Sequence, residues 1–85
     1  MPSVTLRLFA AEREAAGRGS DQYELDRVPT VGALLDTATS TYGGTFASVL
    51  SSARVWVNGD EPADGRETVL ADGDEVAVLP PVSGG

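Results

Sequence analysis

Asp72-Gly73-Asp74-Glu75-Val76-Ala77-Val78-Leu79-Pro80-Pro81-Val82-Ser83-Gly84-Gly85 sets a turn, a strand and a tail in immediate succession. Asp-Gly-Asp is turn chemistry, because glycine supplies positive φ and aspartate side chains bond nearby backbone amides. Glu75 to Leu79 is nearly continuous in apolar character, which predicts a strand at the centre of a sheet. Pro80 and Pro81 offer no backbone N–H and fix φ near about −65°, so the strand stops there and the chain leaves it extended. Ser83 is small and Gly84 and Gly85 have no Cβ, which leaves a backbone slim enough to thread a channel closed to larger residues. The expected organisation is a folded body, residues 1–79, and an exposed, flexible Gly-Gly tail, residues 80–85.

Upstream, Val4, Leu6 and Leu8 alternate with Thr5 and Arg7, a strand with one buried face that ends at Phe9. Residues 10–16, Ala-Ala-Glu-Arg-Glu-Ala-Ala, are strong helix formers stopped by Gly17. Gly17 to Asp21 reads as a loop, and Gln22 to Asp26 as a second strand with Tyr23 and Leu25 inward, antiparallel to the first. Thr30 is an N-cap for a helix whose stripe is Val31, Leu34, Leu35, Ala38 and Tyr42, with Gly32, Asp36, Thr37 and Ser40 opposite and Gly43-Gly44 at its end. Phe46, Val49 and Leu50 mark a short turn or helix docked on the same core. Arg54 to Asn58 is a strand with Val55 and Val57 inward, reversed at Asn58-Gly59. Residues 60–67 read as an acidic exposed loop, and Thr68-Val69-Leu70 as a short strand. Trp56, opposite Val55 and Val57, is open to two readings, an exposed contact or a cover for the sheet's second face.

Strand, strand, helix, strand, short strand, strand is an α+β order. With the first and last strands parallel at the centre, one main helix can cover a mixed sheet of four to five strands, the β-grasp fold.

Composition narrows the chemistry. The 85 residues make one domain, near the lower size for a single apolar core. There is no cysteine, no histidine and no lysine, which removes thiolate and imidazole metal sites, Ser-His and Cys-His nucleophile pairs and Schiff bases from this chain. Six arginines against 13 acids give a net charge of −7, which repels phosphate backbones and anionic lipid and attracts a basic protein surface. Nucleic acid and membrane are therefore not expected partners. Met1-Pro2-Ser3 lacks the layout of a signal peptide and no apolar run has the ~18 residues of a span, so a cytoplasmic location is expected.

Leu8-Phe9-Ala10-Ala11-Glu12-Arg13-Glu14-Ala15-Ala16-Gly17, Pro29-Thr30-Val31-Gly32-Ala33-Leu34, Val57-Asn58-Gly59 and Leu70 to Ala77 followed by Pro80-Pro81-Val82-Ser83-Gly84-Gly85 together resemble the ubiquitin-like sulfur carriers of the MoaD/ThiS family. Within it they resemble most the MoaD branch, the molybdopterin synthase small subunits. The blocks run in family order over nearly the whole chain, and the Asp-Gly-Asp-Glu-Val and Pro-Pro-Val-Ser-Gly-Gly blocks are the most specific. The resemblance implies a carrier without catalytic residues of its own. A partner adenylating enzyme of the MoeB/ThiF type would use MgATP to convert the Gly85 carboxylate to an acyl-adenylate, and a sulfur donor would displace AMP to leave a thiocarboxylate. No cofactor would be bound by the chain itself.

In the molybdopterin branch, Pro80, Pro81, Val82, Ser83 and Gly84 would insert with Gly85 into a large synthase subunit, in a heterotetramer, to build the dithiolene that later binds molybdenum. Ser83 is expected as a small tunnel-compatible residue, since no base is present to activate it. The family places a hydrophobic docking patch at positions matching Phe9, Leu79 and Val82, and Arg13 matches an arginine of the family's Arg-Glu pair that could bridge to a partner carboxylate. Ordinary core is the other reading of Phe9 and Leu79, and a solvated helix face the other reading of Arg13. Carriage of sulfur to thiamine, cysteine or thiolated tRNA, modification of target lysines, and a β-grasp interaction module with an incidental Gly-Gly are the competing functions.

Overall fold

The computed structural model describes residues 2–80. Its elements are β1 (Ser3–Leu8), α1 (Ala10–Ala16), β2 (Ser20–Glu24), α2 (Val31–Tyr42), α3 (Gly44–Leu50), β3 (Arg54–Val57), a 3-10 turn (Gly65–Glu67) and β4 (Glu75–Leu79). The sheet has four strands in the order β2-β1-β4-β3. β1 and β4 are parallel, with Leu6 beside Val76 and Leu8 beside Val78, while β2 and β3 add antiparallel on either side. The first and last strands thus lie side by side at the centre, and the architecture is the expected α+β β-grasp.

Alternation decides which face is covered. Val4, Leu6, Leu8, Val76 and Val78 are all buried, and they meet Val31, Leu34, Leu35 and Ala38 of α2, with Phe46 of α3, in one core. Removing each such side chain from water contributes about 1.5–3 kcal/mol, so this layer dominates the stability. Thr30 caps α2, its Oγ1 accepting from the Ala33 amide at 3.2 Å. α2 is the main helix, and the two shorter ones pack beside it, α3 against α2 and α1 against α3.

Three local expectations are corrected. β2 occupies Ser20–Glu24 rather than residues 22–26: its partner β1 starts at Ser3, which pairs with Glu24, so Leu25 has passed into a turn. Tyr23 keeps its inward place. Thr68 to Leu70 is not a fifth sheet strand but a single bridge, Thr30 to Val69, that straps the loop to the start of α2. Gly32 is buried rather than solvent-facing, because that strap lies across it and a Cβ there would come within 3.0 Å of the Arg66 carbonyl oxygen. Glu12, one of the helix formers of α1, is 1% exposed.

Asn58-Gly59 turns β3 as its sequence predicts, both residues at positive φ (52° and 87°), and Val57 and Asp60 exchange both backbone bonds across it. Among the described residues no helix is long and apolar enough to cross a membrane.

Candidate functional site

β4 is bonded on both sides, and its exit is where the tail begins. Its start is fixed by a short-range network. Asp72 Oδ1 accepts from the Ser3 amide at 2.9 Å, and Asp74 accepts from the Ala71 amide at 2.8 Å and from Asn58 Nδ2 at 2.9 Å. Asn58 Oδ1 in turn accepts from the Glu75 amide at 2.9 Å, and Gly73 turns at φ 87°. These contacts tie the Asp-Gly-Asp turn to β1 and to the β3 hairpin, which locks the register of the strand that carries the tail. The sequence marked Asn58 as a turn former; its side-chain bridge to Asp74 and Glu75, 16 and 17 residues away, has no local signal.

The other end of β4 meets the other end of β1. The two run parallel as far as Leu8 beside Val78, and Phe9 and Leu79 are the next residues of the chain beyond that pair. Strand alternation sends Arg7, Glu75, Ala77 and Leu79 to the face opposite the core, with Trp56 beside Ala77 and Arg54 beside Leu79. Among the described residues no helix crosses that face.

Phe9 is 38% exposed and absent from the core, the Arg7 guanidinium lies over its ring at 5.9 Å, and Arg7 also pairs with Glu75 at 3.6 Å. Leu79 is half-buried, also outside the core. Phe9 and Leu79 therefore both lie outside the core at the same end of β1 and β4, half-buried Trp56 stands beside Ala77 on the outer face, and Pro80 is exposed directly beyond Leu79. Arg7, read from the sequence only as a polar alternate, belongs to this patch; it shares the parity of Phe9, which was the available signal.

The apolar run of β4 predicted a central strand, which it is, while Ala77 and Leu79 are only half-buried and Glu75 is exposed. The strand is central in hydrogen bonding and open on one side.

Arg13 stands elsewhere. It is exposed on the outer side of α1, its guanidinium laid along Gly19, where a Cβ would come 3.4 Å from Arg13 Nε. With Arg18 and Glu14 it lines a shallow cleft that also includes Ala10, next to Phe9. It has no ion-pair partner among the described residues, whereas Arg18 pairs with Asp21 at 3.3 Å. The remaining predicted site residues, Pro81, Val82, Ser83, Gly84 and Gly85, lie outside the described residues. No cluster of three or more metal-ligating side chains occurs among the described residues.

Comparison with known proteins places this arrangement. The chain is 38% identical to the small archaeal modifier protein 3 of Haloferax volcanii, with 96% of this chain and 98% of that protein covered. It is 34% identical to the molybdopterin synthase sulfur carrier subunit of Emericella nidulans over the full length of both. The solution structure of the small archaeal modifier protein 1 from Methanosarcina acetivorans superposes with a TM-score of 0.83 at 32% identity, covering 100% of this chain and 98% of the other. The ThiS family model matches residues 6–85, from β1 through the final glycine. The chain belongs to the ThiS family of small ubiquitin-like proteins.

Proposed function

We propose that this chain is a sulfur carrier whose working group is the Gly85 carboxylate. The single observation that carries the reading is the family match through residue 85, on a fold whose central strand leads straight into the tail. A carboxylate is a poor electrophile. In the proposed sequence it attacks the α-phosphate of MgATP on a partner adenylating enzyme, pyrophosphate leaves, and the mixed anhydride supplies a good leaving group. Hydrosulfide from a sulfur donor then attacks the acyl carbon and AMP departs, leaving the thiocarboxylate.

The chain's own contribution is position. The two prolines direct the exit, the Gly-Gly ending lets the acyl carbon reach the reacting centre, and the Phe9, Leu79 and Trp56 face gives the partner something to grip. The finer assignment is to molybdopterin synthesis, with delivery to a large synthase subunit, and it draws on the full-length match to a molybdopterin synthase sulfur carrier subunit. A second reading, covalent modification of target lysines through Gly85, is favoured by the match to proteins named as modifiers.

Intact-mass analysis after incubation with an adenylating enzyme, MgATP and a sulfur source tests both. Replacement of one oxygen by sulfur is expected for the carrier, and adducts on target proteins for the modifier. A variant lacking Gly85 is expected to keep its circular dichroism spectrum and to lose loading; undiminished loading of that variant overturns the proposal.

A further inference from the structure

We infer that α1 is a flap, a seven-residue helix that detaches from the body and unwinds in one local step, at far lower cost than global unfolding and beside the exit of the tail. Three independent features of residues 9–16 point the same way. Glu12 is 1% exposed in an otherwise apolar interior, and its Oε2 is buried with no hydrogen-bond partner among the described residues. A buried carboxylate oxygen that has given up water for nothing is a standing penalty on the closed position, relieved as soon as the segment lifts.

Ala10, the first residue of the helix, sits at φ 52°, where a Cβ crowds the following carbonyl. That strain too is released on opening. The capping residue is Phe9, whose side chain makes no cap bond, so the helix start is held by two backbone contacts, the amides of Glu12 and Arg13 to the Phe9 carbonyl at 3.1 and 3.3 Å.

Little opposes these costs. The seven residues of α1 are four alanines, two glutamates and an arginine, so the segment contributes no large apolar side chain to the core. It lies over α3 and against β1 and β4. Its first turn hangs on Phe9, which lies outside the core just beyond β1, so lifting α1 releases the backbone of a patch residue while the sheet stays intact. The inference stands on α1 alone and does not depend on the sulfur chemistry.

Native-state hydrogen exchange on the full chain tests it, with amides of Glu12, Arg13 and Gly17 reporting the flap and those of Leu6, Leu34 and Val76 reporting the core. The α1 amides are expected to exchange at least about 100-fold faster than the core amides, with a much shallower dependence on denaturant, as a local opening requires. Glu12→Leu removes the orphaned oxygen and is expected to slow the α1 amides about tenfold or more. The inference is overturned if the α1 amides share the rate and denaturant slope of the core, or if Glu12→Leu leaves their exchange unchanged.

Discussion

Gly32 shows how one residue can carry opposing instructions. In a helix interior alanine is favoured over glycine by about 1 kcal/mol, so propensity alone recommends Gly32→Ala. The added Cβ, however, meets the Arg66 carbonyl oxygen at 3.0 Å, and Arg66 is itself held to α2 by its bonds to the Gly32 carbonyl at 3.3 Å and Asp36 at 2.7 Å. Backbone cannot step aside as a flexible side-chain tip can, so the clash outweighs the propensity. Gly32→Ala is expected to lower stability by about 1–2 kcal/mol in urea unfolding; a gain would mean that the 65–70 strap is loosely held. Helix periodicity placed Gly32 opposite the core-facing stripe of α2, and it is buried there all the same. What periodicity does not encode is that a segment 34 residues later lies across that position. The same limit explains Glu12: composition identified it as a helix former, while its burial depends on where α3 packs. Asn58-Gly59, by contrast, was legible at once, because the positive φ of both residues is a local property of the pair.

At the scale of elements, the joint between β2, α2 and α3 is built on Tyr42. Its hydroxyl donates to Asp21 Oδ2 at 2.7 Å and accepts from the Tyr23 hydroxyl at 3.3 Å, and its ring meets Phe46 edge-on at 5.1 Å. Burial above all, then the hydrogen bonds with Tyr23 and Asp21, push the Tyr42 hydroxyl well above the ordinary tyrosine range. The fold therefore favours the neutral hydroxyl. Its contribution is fully present below the unfolded tyrosine value of about 10 and is lost progressively as pH rises beyond it. Wild-type protein is expected to lose thermal stability above about pH 10 more steeply than Tyr42→Phe, which should be less stable by about 1 kcal/mol at neutral pH. Parallel Tm-against-pH curves for the two proteins would show that the joint does not depend on this proton. The elements themselves were readable from the sequence because each carried its own punctuation: Thr30 before α2, Gly43 after it, Asn58-Gly59 after β3 and Gly73 before β4. The end of β2 carried none. Its boundary is set by the length of its partner β1, a relation between elements, and the sequence pattern of Gln22 to Asp26 ran past it unchanged.

On the scale of the whole molecule, the chain combines a net charge of −7 with a small apolar patch, and the two are expected to govern different parts of association. Long-range attraction to a basic partner acts before contact and is screened over about 8 Å at physiological salt, so it raises the encounter rate and is sensitive to ionic strength. Phe9 and Leu79 act after contact, where they exclude water, so they determine how long the complex lasts. Phe9→Arg and Leu79→Arg are expected to weaken binding to the proposed adenylating enzyme by about tenfold or more, chiefly through faster dissociation, with unchanged circular dichroism because neither residue lies in the core. An unfolded variant would instead return these residues to a structural role. Raising salt from about 0.02 to 0.5 M is expected to slow association of the wild-type protein and of both variants by similar factors, leaving their relative dissociation rates in place. Surface plasmon resonance across that range separates the two. If salt changes dissociation and leaves association untouched, the acidic field is not what brings the partner in, and the −7 charge is reduced to a device for solubility.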